Sequence, residues 1–336
     1  MAKTAAKRKT KNRAHEAATG PLYLNEDDVT SLVNVEDAIA MLERLFATWS
    51  DPATVNLPRQ RAPTGTGTFN LMGAAWGAAG LFGLKAYYGG GSGGARFHVL
   101  LYCAREGRLK AMIEADNLGR MRTGAASGLA TKLLANPQAR SLGVSGAGRQ
   151  AFAQVAAVCA VRKVEAVRVF SRTAARRDRL ASLIERKLRV AAEPVASPEA
   201  AVGTADIVVT ITKSAAPVLR ADWLKSGVHI NAAGANAASR REIDGETVLR
   251  SSVRATDHLA QARLEAAEYR DLVDAGRLGW QDIVEIGDIL TEKAPGRRGG
   301  ADVTLFKSLG IALEDIAFAD LIWRRAIERG IGKPMP

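Results

Sequence analysis

Ser141-Leu142-Gly143-Val144-Ser145-Gly146-Ala147-Gly148-Arg149-Gln150-Ala151 decides the fold class of this chain. A short apolar run stops at two glycines, and an alanine-rich stretch with helical character over residues 149–161 follows. The pattern is G-x-G-x-x-A. Gly146 permits a tight turn, Gly148 lets the backbone approach a pyrophosphate, and the small Ala151 allows close helix–strand packing. The helix N-terminus adds amides and the positive end of its dipole to the same phosphates. A strand before the motif and a helix after it separate this turn from an ordinary glycine-rich one. Gly146, Ala147, Gly148, Arg149 and Gln150 are therefore expected to line a dinucleotide.

The next strand, residues 166–170, ends in Ser171-Arg172-Thr173. A site built for NAD places an Asp or Glu there to bind the ribose 2′-hydroxyl, and none is present. Arg172 can pair with a 2′-phosphate, and Ser171 and Thr173 can donate hydrogen bonds. NADP(H) is the preferred cofactor on this reading, with NAD(H) as the alternative.

Working outward, the strand–helix rhythm continues to about residue 257, with a basic helix over 174–187 and strands over 206–211 and 228–233. Such alternation signals right-handed βαβ units around a parallel sheet. Towards the N-terminus the pattern is mixed. A helix is expected over residues 35–49, with Ile39, Leu42, Leu45 and Phe46 at helical spacing, and strands over 82–88, 97–103 and 109–114. A second helix over 122–135 stops at Asn136-Pro137, and an amphipathic one spans 310–329. The whole is an α/β chain: a Rossmann-type dinucleotide-binding domain (137–303) and a discontinuous α+β domain (21–136 with 304–336).

Composition narrows the function. The 336 residues carry 47 Lys plus Arg against 35 Asp plus Glu, and 47% are hydrophobic, enough for a real core. Two cysteines, Cys103 and Cys159, make no disulfide framework, and no Cys/His cluster has metal-ligand spacing, so no metal is expected. No apolar run reaches the roughly 18 residues of a membrane span. Residues 1–20 hold six cations (Lys3, Lys7, Arg8, Lys9, Lys11 and Arg13) against Glu16, without aromatics, and read as a disordered basic tail rather than a nucleic-acid module. The stretch Gly90-Gly91-Ser92-Gly93-Gly94 fits a hydrolase G-x-S-x-G on paper, but a strand pattern follows where that motif needs a helix. His229, in an apolar strand, reads as a core residue.

Around the fingerprint stand Gly83-Leu84-Lys85, Arg122-Thr123-Gly124-Ala125-Ala126-Ser127 and Ala205-Asp206-Ile207-Val208-Val209-Thr210. His229-Ile230-Asn231-Ala232-Ala233-Gly234-Ala235 before Glu242, and Thr304-Leu305-Phe306-Lys307-Ser308-Leu309-Gly310 before Glu314-Asp315, complete the set. In this order and spacing the chain resembles the ornithine cyclodeaminase/mu-crystallin family, from about Leu22 to Lys333. The resemblance implies a cytoplasmic homodimer of two-domain subunits, with the discontinuous domain supplying substrate and dimer contacts. It implies that Arg59, Lys85 and Arg122 hold a substrate carboxylate, with Asn70 and Asn236 beside it. It adds Arg122, Thr123, Thr212 and Ser308 to the cofactor contacts. Fixed cations are what an α-imino or α-amino acid needs, because charge-assisted donors orient a carboxylate best.

Two departures bear on the chemistry. Asn70 and Asn236 stand where family cyclodeaminases carry acids. An amide hydrogen-bonds but takes no proton from an ammonium at neutral pH, so cyclisation with ammonia release loses its proton managers. Hydride transfer at a carbon–nitrogen bond survives. The expected activity is NAD(P)H-dependent reduction of an α-imino acid or cyclic ketimine, reversible as L-amino acid oxidation. Lys85 is the catalytic candidate, as proton donor or imine polariser, with a bound water as the competing donor. An ornithine cyclodeaminase-type lyase and a non-catalytic NADP-dependent binding protein are the alternatives.

Overall fold

The computed structural model describes residues 20–90 and 94–336. The expected basic tail lies outside the described residues except for Gly20, as do Gly91, Ser92 and Gly93 of the glycine loop. The chain forms two compact units: Met1–Asn34, Ser50–Gly119 and Ala312–Pro336 make one, and Val35–Trp49 with Arg120–Ile311 the other. These cut the chain at other points than the 21–136, 137–303 and 304–336 division expected from sequence. Residues 35–49, 120–136 and 304–311 belong with the nucleotide-type unit.

The first unit holds strands β1 (Leu22–Leu24), β2 (Val55–Thr64), β3 (Gly67–Trp76), β4 (Leu81–Gly90), β5 (Arg96–Cys103) and β6 (Leu109–Glu114). From β2 to β6 they run as an antiparallel meander, β1 joins β6 in parallel, and Lys333–Pro334 pairs with β1. The strand at β5 confirms that no helix follows the glycine loop. Sequence patterning does not reveal β2 or β3. Pro58 and Pro63 weaken the strand signal of β2, and they are tolerated because β2 is an edge strand with a register shift between Leu57 and Gln60. The helix Ala312–Arg329 packs on β2 to β5, burying Leu313, Ile316 and Phe318. Gly83 lets it sit close, since a Cβ there would collide with Ile316 Cδ1 and the Leu100 carbonyl. Val55, Leu57, Phe69, Leu71 and Phe82 remain exposed on β2 to β4.

The helix expected over 122–135 begins earlier, at Asp116. Its first amides find a distant acceptor: the Glu26 carboxylate takes Asp116 N–H at 2.6 Å and Asn117 N–H at 2.9 Å.

The second unit is built on β7 (Ser141–Ser145), β8 (Ala166–Phe170), β9 (Ala191–Pro194), β10 (Ile207–Thr210), β11 (His229–Ala232), β12 (Val253–Thr256), β13 (Val284–Glu285) and β14 (Thr304–Lys307). All pairings are parallel, in the order β13-β12-β14-β11-β10-β7-β8-β9. Both faces are covered, which is why Val144, Val169, Val208 and Ile230 are buried and the strands read as continuous apolar runs. Strand order reverses at β7, and ligands bind such sheets beyond the carboxyl ends of the strands at that reversal. Two segments are drawn into this unit by packing. The helix Val35–Ala47 brings Ile39 against Gly128, beside Ala157, and β14 slots between β11 and β12. His229 is fully buried, its Nδ1 2.9 Å from Thr304 Oγ1. Among the described residues no helix is long and apolar enough to cross a membrane, and no His/Cys/Asp/Glu group could hold a metal ion.

Candidate functional site

The turn after β7 has the features a pyrophosphate needs. Gly146 has φ 119°, and a Cβ on it would run into the Ile211 carbonyl, so only glycine fits. Its N–H donates to the Phe170 carbonyl at 2.9 Å. A Cβ on Gly148 would meet nothing within 4 Å, which leaves open space on the side an anion would approach. Ala151 is fully buried against the sheet. The helix Ala151–Val161, N-capped by Gln150, has no side-chain cap and no acid in its first turn, which suits an anion, although its Ala151 N–H donates to the Gly148 carbonyl at 3.1 Å. Arg149 is exposed and Ala147 half-buried beside them. These residues fit a dinucleotide. After β8, Arg172 and Thr173 are exposed, and the helix Ala174–Leu188 again begins without an acid or a side-chain cap.

Beyond β10 and β11 a buried carboxylate organises the loops. Glu242 accepts Thr212 N–H, the Thr212 hydroxyl at 2.8 Å, Gly234 N–H at 2.6 Å and Ala235 N–H at 3.0 Å. Burial pushes its carboxyl pKa up, opposed by Lys307 and by these donors. Glu268 accepts the Glu242 N–H at 3.0 Å and pairs with Lys307 Nζ at 3.0 Å, with both side chains fully buried. Thr212 thus gives both its donors to Glu242. Asn236, two residues past Gly234, is half-buried.

Asp257 does the same after β12. It accepts Leu309 N–H at 2.7 Å and Gly310 N–H at 2.8 Å, with Ser308 Oγ at 3.5 Å. Burial raises its pKa, while those amides, His258 and Arg122 pull it down. Gly310 has φ 70°, and a Cβ there would strike the Arg122 guanidinium. Arg122 is 6% exposed, and the next residue, Thr123, accepts Gln154 Nε2 through its carbonyl at 3.0 Å.

In the first unit, Lys85 lies on the buried face of β4 at 3% exposure. Its Nζ donates to Asp315 Oδ1 at 2.9 Å and sits 5.4 Å from the Phe97 ring centroid. Phe97 stacks on Tyr87 at 4.9 Å between centroids. Arg59, 6% exposed, directs Nε at Met72 Sδ at 3.3 Å, and Met72 is the register partner of Lys85. Asn70 donates its amide to the Thr68 carbonyl at 3.0 Å, which a carboxylate could not do.

Arg59, Asn70 and Lys85 therefore share one unit, while Arg122, Asn236 and every expected cofactor residue belong to the other. Sequence reasoning missed Asp315 as the counter-ion of Lys85, and it missed the carboxylates Glu242 and Asp257 as loop holders. A signal existed for Asp315 in the pair Glu314-Asp315 closing the last motif, but nothing in it named a partner.

The ornithine cyclodeaminase/mu-crystallin family profile matches residues 21–330. The chain is similar to a Δ1-pyrroline-2-carboxylate reductase of Bacillus cereus, 34% identical over 236 residues, covering 70% of this chain and 72% of the relative. Among solved structures it is similar to Thermococcus litoralis Δ1-pyrroline-2-carboxylate reductase in complex with NADH and L-proline. The TM-score is 0.89 at 28% identity, over 94% of this chain and 100% of that one. An archaeal alanine dehydrogenase dimer with bound NAD gives a TM-score of 0.88 at 27% identity, over 94% and 99%. A Rossmann-type unit with an open glycine turn, a buried lysine on an antiparallel sheet and a profile match over nearly the whole chain lead to one conclusion: this protein belongs to the ornithine cyclodeaminase/mu-crystallin family.

Proposed function

We propose that this chain is an NAD(P)H-dependent oxidoreductase that reduces the C=N bond of an α-imino acid or cyclic ketimine, and in reverse oxidises an L-amino acid. The observation that carries the reading is Lys85, a buried ammonium with a carboxylate counter-ion on the inner face of a sheet. A buried charge is costly, and a proton donor for a nitrogen is a purpose that accounts for it.

The nicotinamide, when bound, supplies the hydride. Gly146, Ala147, Gly148, Arg149 and Gln150 take the pyrophosphate, and Thr123, Thr212 and Ser308 complete the cofactor contacts. Arg59, Lys85 and Arg122 orient the substrate carboxylate, with Asn70 and Asn236 as hydrogen-bonding neighbours. As the imine carbon gains hydride, the C=N π pair moves to nitrogen, which takes a proton from Lys85 Nζ or from a bound water. The amide of Asn70, committed to the Thr68 carbonyl, supports reduction over cyclodeamination.

NADP(H) is the preferred cofactor. Support comes from Ser171, Arg172 and Thr173 without an acid, and from Arg176 and Arg177 in an acid-free first helical turn. The working form is a cytoplasmic homodimer, its dimer contact supported by the exposed apolar face of β2 to β4. Purified protein should oxidise NADPH when Δ1-pyrroline-2-carboxylate or a related imino acid is added, and Lys85→Ala should abolish it. No turnover across cyclic and linear imino acids with either nucleotide overturns the reading.

A further inference from the structure

We infer that Asp315 is a positioning residue for the proposed reduction: its carboxylate fixes the Nζ of Lys85 as a charged, aimed donor. The inference rests on the reading of Lys85 as the group that meets the imine, and goes beyond it by assigning a function to the helix that closes the chain.

The pair is assembled by parts of the sequence 230 residues apart. Lys85 and Gly83 lie two apart on β4 and face the same way, so both look at the helix Ala312–Arg329. Gly83 leaves the space that Ile316 fills, and Ile316 is the neighbour of Asp315. At the first turn of that helix, Leu313 N–H donates to Asn56 Oδ1 of β2 at 3.2 Å, fixing how the helix starts. These two contacts set the depth and the start of the helix, and Asp315 Oδ1 then lies 2.9 Å from Nζ.

The surroundings of Nζ leave little freedom. A Cβ on Gly119 would come within 3.1 Å of it, so the backbone closes one side, and the Phe97 ring borders it at 5.4 Å. Side-chain exposure is 4% for Lys85 and 0% for Asp315. A lysine has four rotatable bonds, and a mobile ammonium would lose the geometry that proton donation needs. One salt bridge at this depth restrains it and offsets part of the cost of its charge.

The test compares wild type, Asp315→Asn and Asp315→Glu for kcat and for KM with Δ1-pyrroline-2-carboxylate and NADPH, alongside thermal midpoints. A positioning role predicts that Asp315→Asn lowers kcat by about tenfold or more while KM for NADPH stays within about twofold. Asp315→Glu, which keeps a counter-ion, should then exceed Asp315→Asn by about threefold or more in kcat. Asp315→Asn at wild-type rate, or both variants equally impaired in step with their folding, overturns the inference. If the wild type reduces no imino acid, the reductase reading falls and this role falls with it. If the wild type is active and Asp315→Asn matches it, only the role of Asp315 falls.

Discussion

Asp257 accepts the backbone N–H of Gly310 at 2.8 Å, and that glycine, at φ 70°, is the residue against which the Arg122 guanidinium lies. Gly310→Ala should both strain the backbone and displace Arg122. We expect a stability loss of about 1–2 kcal/mol and a rise in KM for the imino acid of roughly tenfold or more. Steady-state kinetics with a thermal melt checks both.

Glu242 accepts four donors from the loops that follow β10 and β11. In Glu242→Gln an amide NH2 must face donors it cannot accept from. The variant should lose about 2–4 kcal/mol of stability and bind NADPH about tenfold more weakly, read by urea unfolding and by fluorescence titration.

Arg172 is exposed at the end of β8, with no acid nearby in Ser171–Thr173. Arg172→Ala should raise KM for NADPH about tenfold and leave that for NADH within about twofold, since only the 2′-phosphate loses a partner. Equal effects on both nucleotides would refute the assignment.

Leu57 and Phe69 are 58% and 42% exposed on neighbouring strands. On the proposed homodimer, the double variant Leu57→Glu with Phe69→Glu should sediment as a monomer at concentrations where the wild type sediments as a dimer. Burying two carboxylates in an apolar contact costs several kcal/mol.

His229 carries a proton-linked stability term. Burial, aided by Arg297, lowers its pKa from 6.5 to about 3, so it is neutral in the fold. Unfolding lets it bind a proton between those values, so this contribution is fully present above pH 6.5 and is lost as pH falls towards 3. A His229→Gln variant should show a shallower loss of stability than wild type on acidification from pH 7 to pH 5, measured by urea unfolding.

Local patterns were legible. Ser141–Ser145, Ala166–Phe170 and Leu109–Glu114 lie where hydrophobic periodicity places them, because strand formation there needs only residues close in sequence. The glycine turn after β7 was legible for the same reason, since Gly146 and Gly148 act through their own backbone. The start of the helix at Asp116 was not, as its amides are held by Glu26 from another element. Nor was β2, where two prolines and a bulge mask an edge strand.

The sequence by itself determined a βαβ unit with a G-x-G-x-x-A turn, the missing acid after β8, and the cations from which a carboxylate site could be drawn. Tertiary structure decided which acid meets Lys85, where β14 enters the parallel sheet, and which carboxylates hold the loops around Thr212, Gly234 and Gly310. The reason is range. Dihedral preference and side-chain period act over a few residues, whereas an ion pair between Lys85 and Asp315 exists only after a sheet and the final helix have packed face to face.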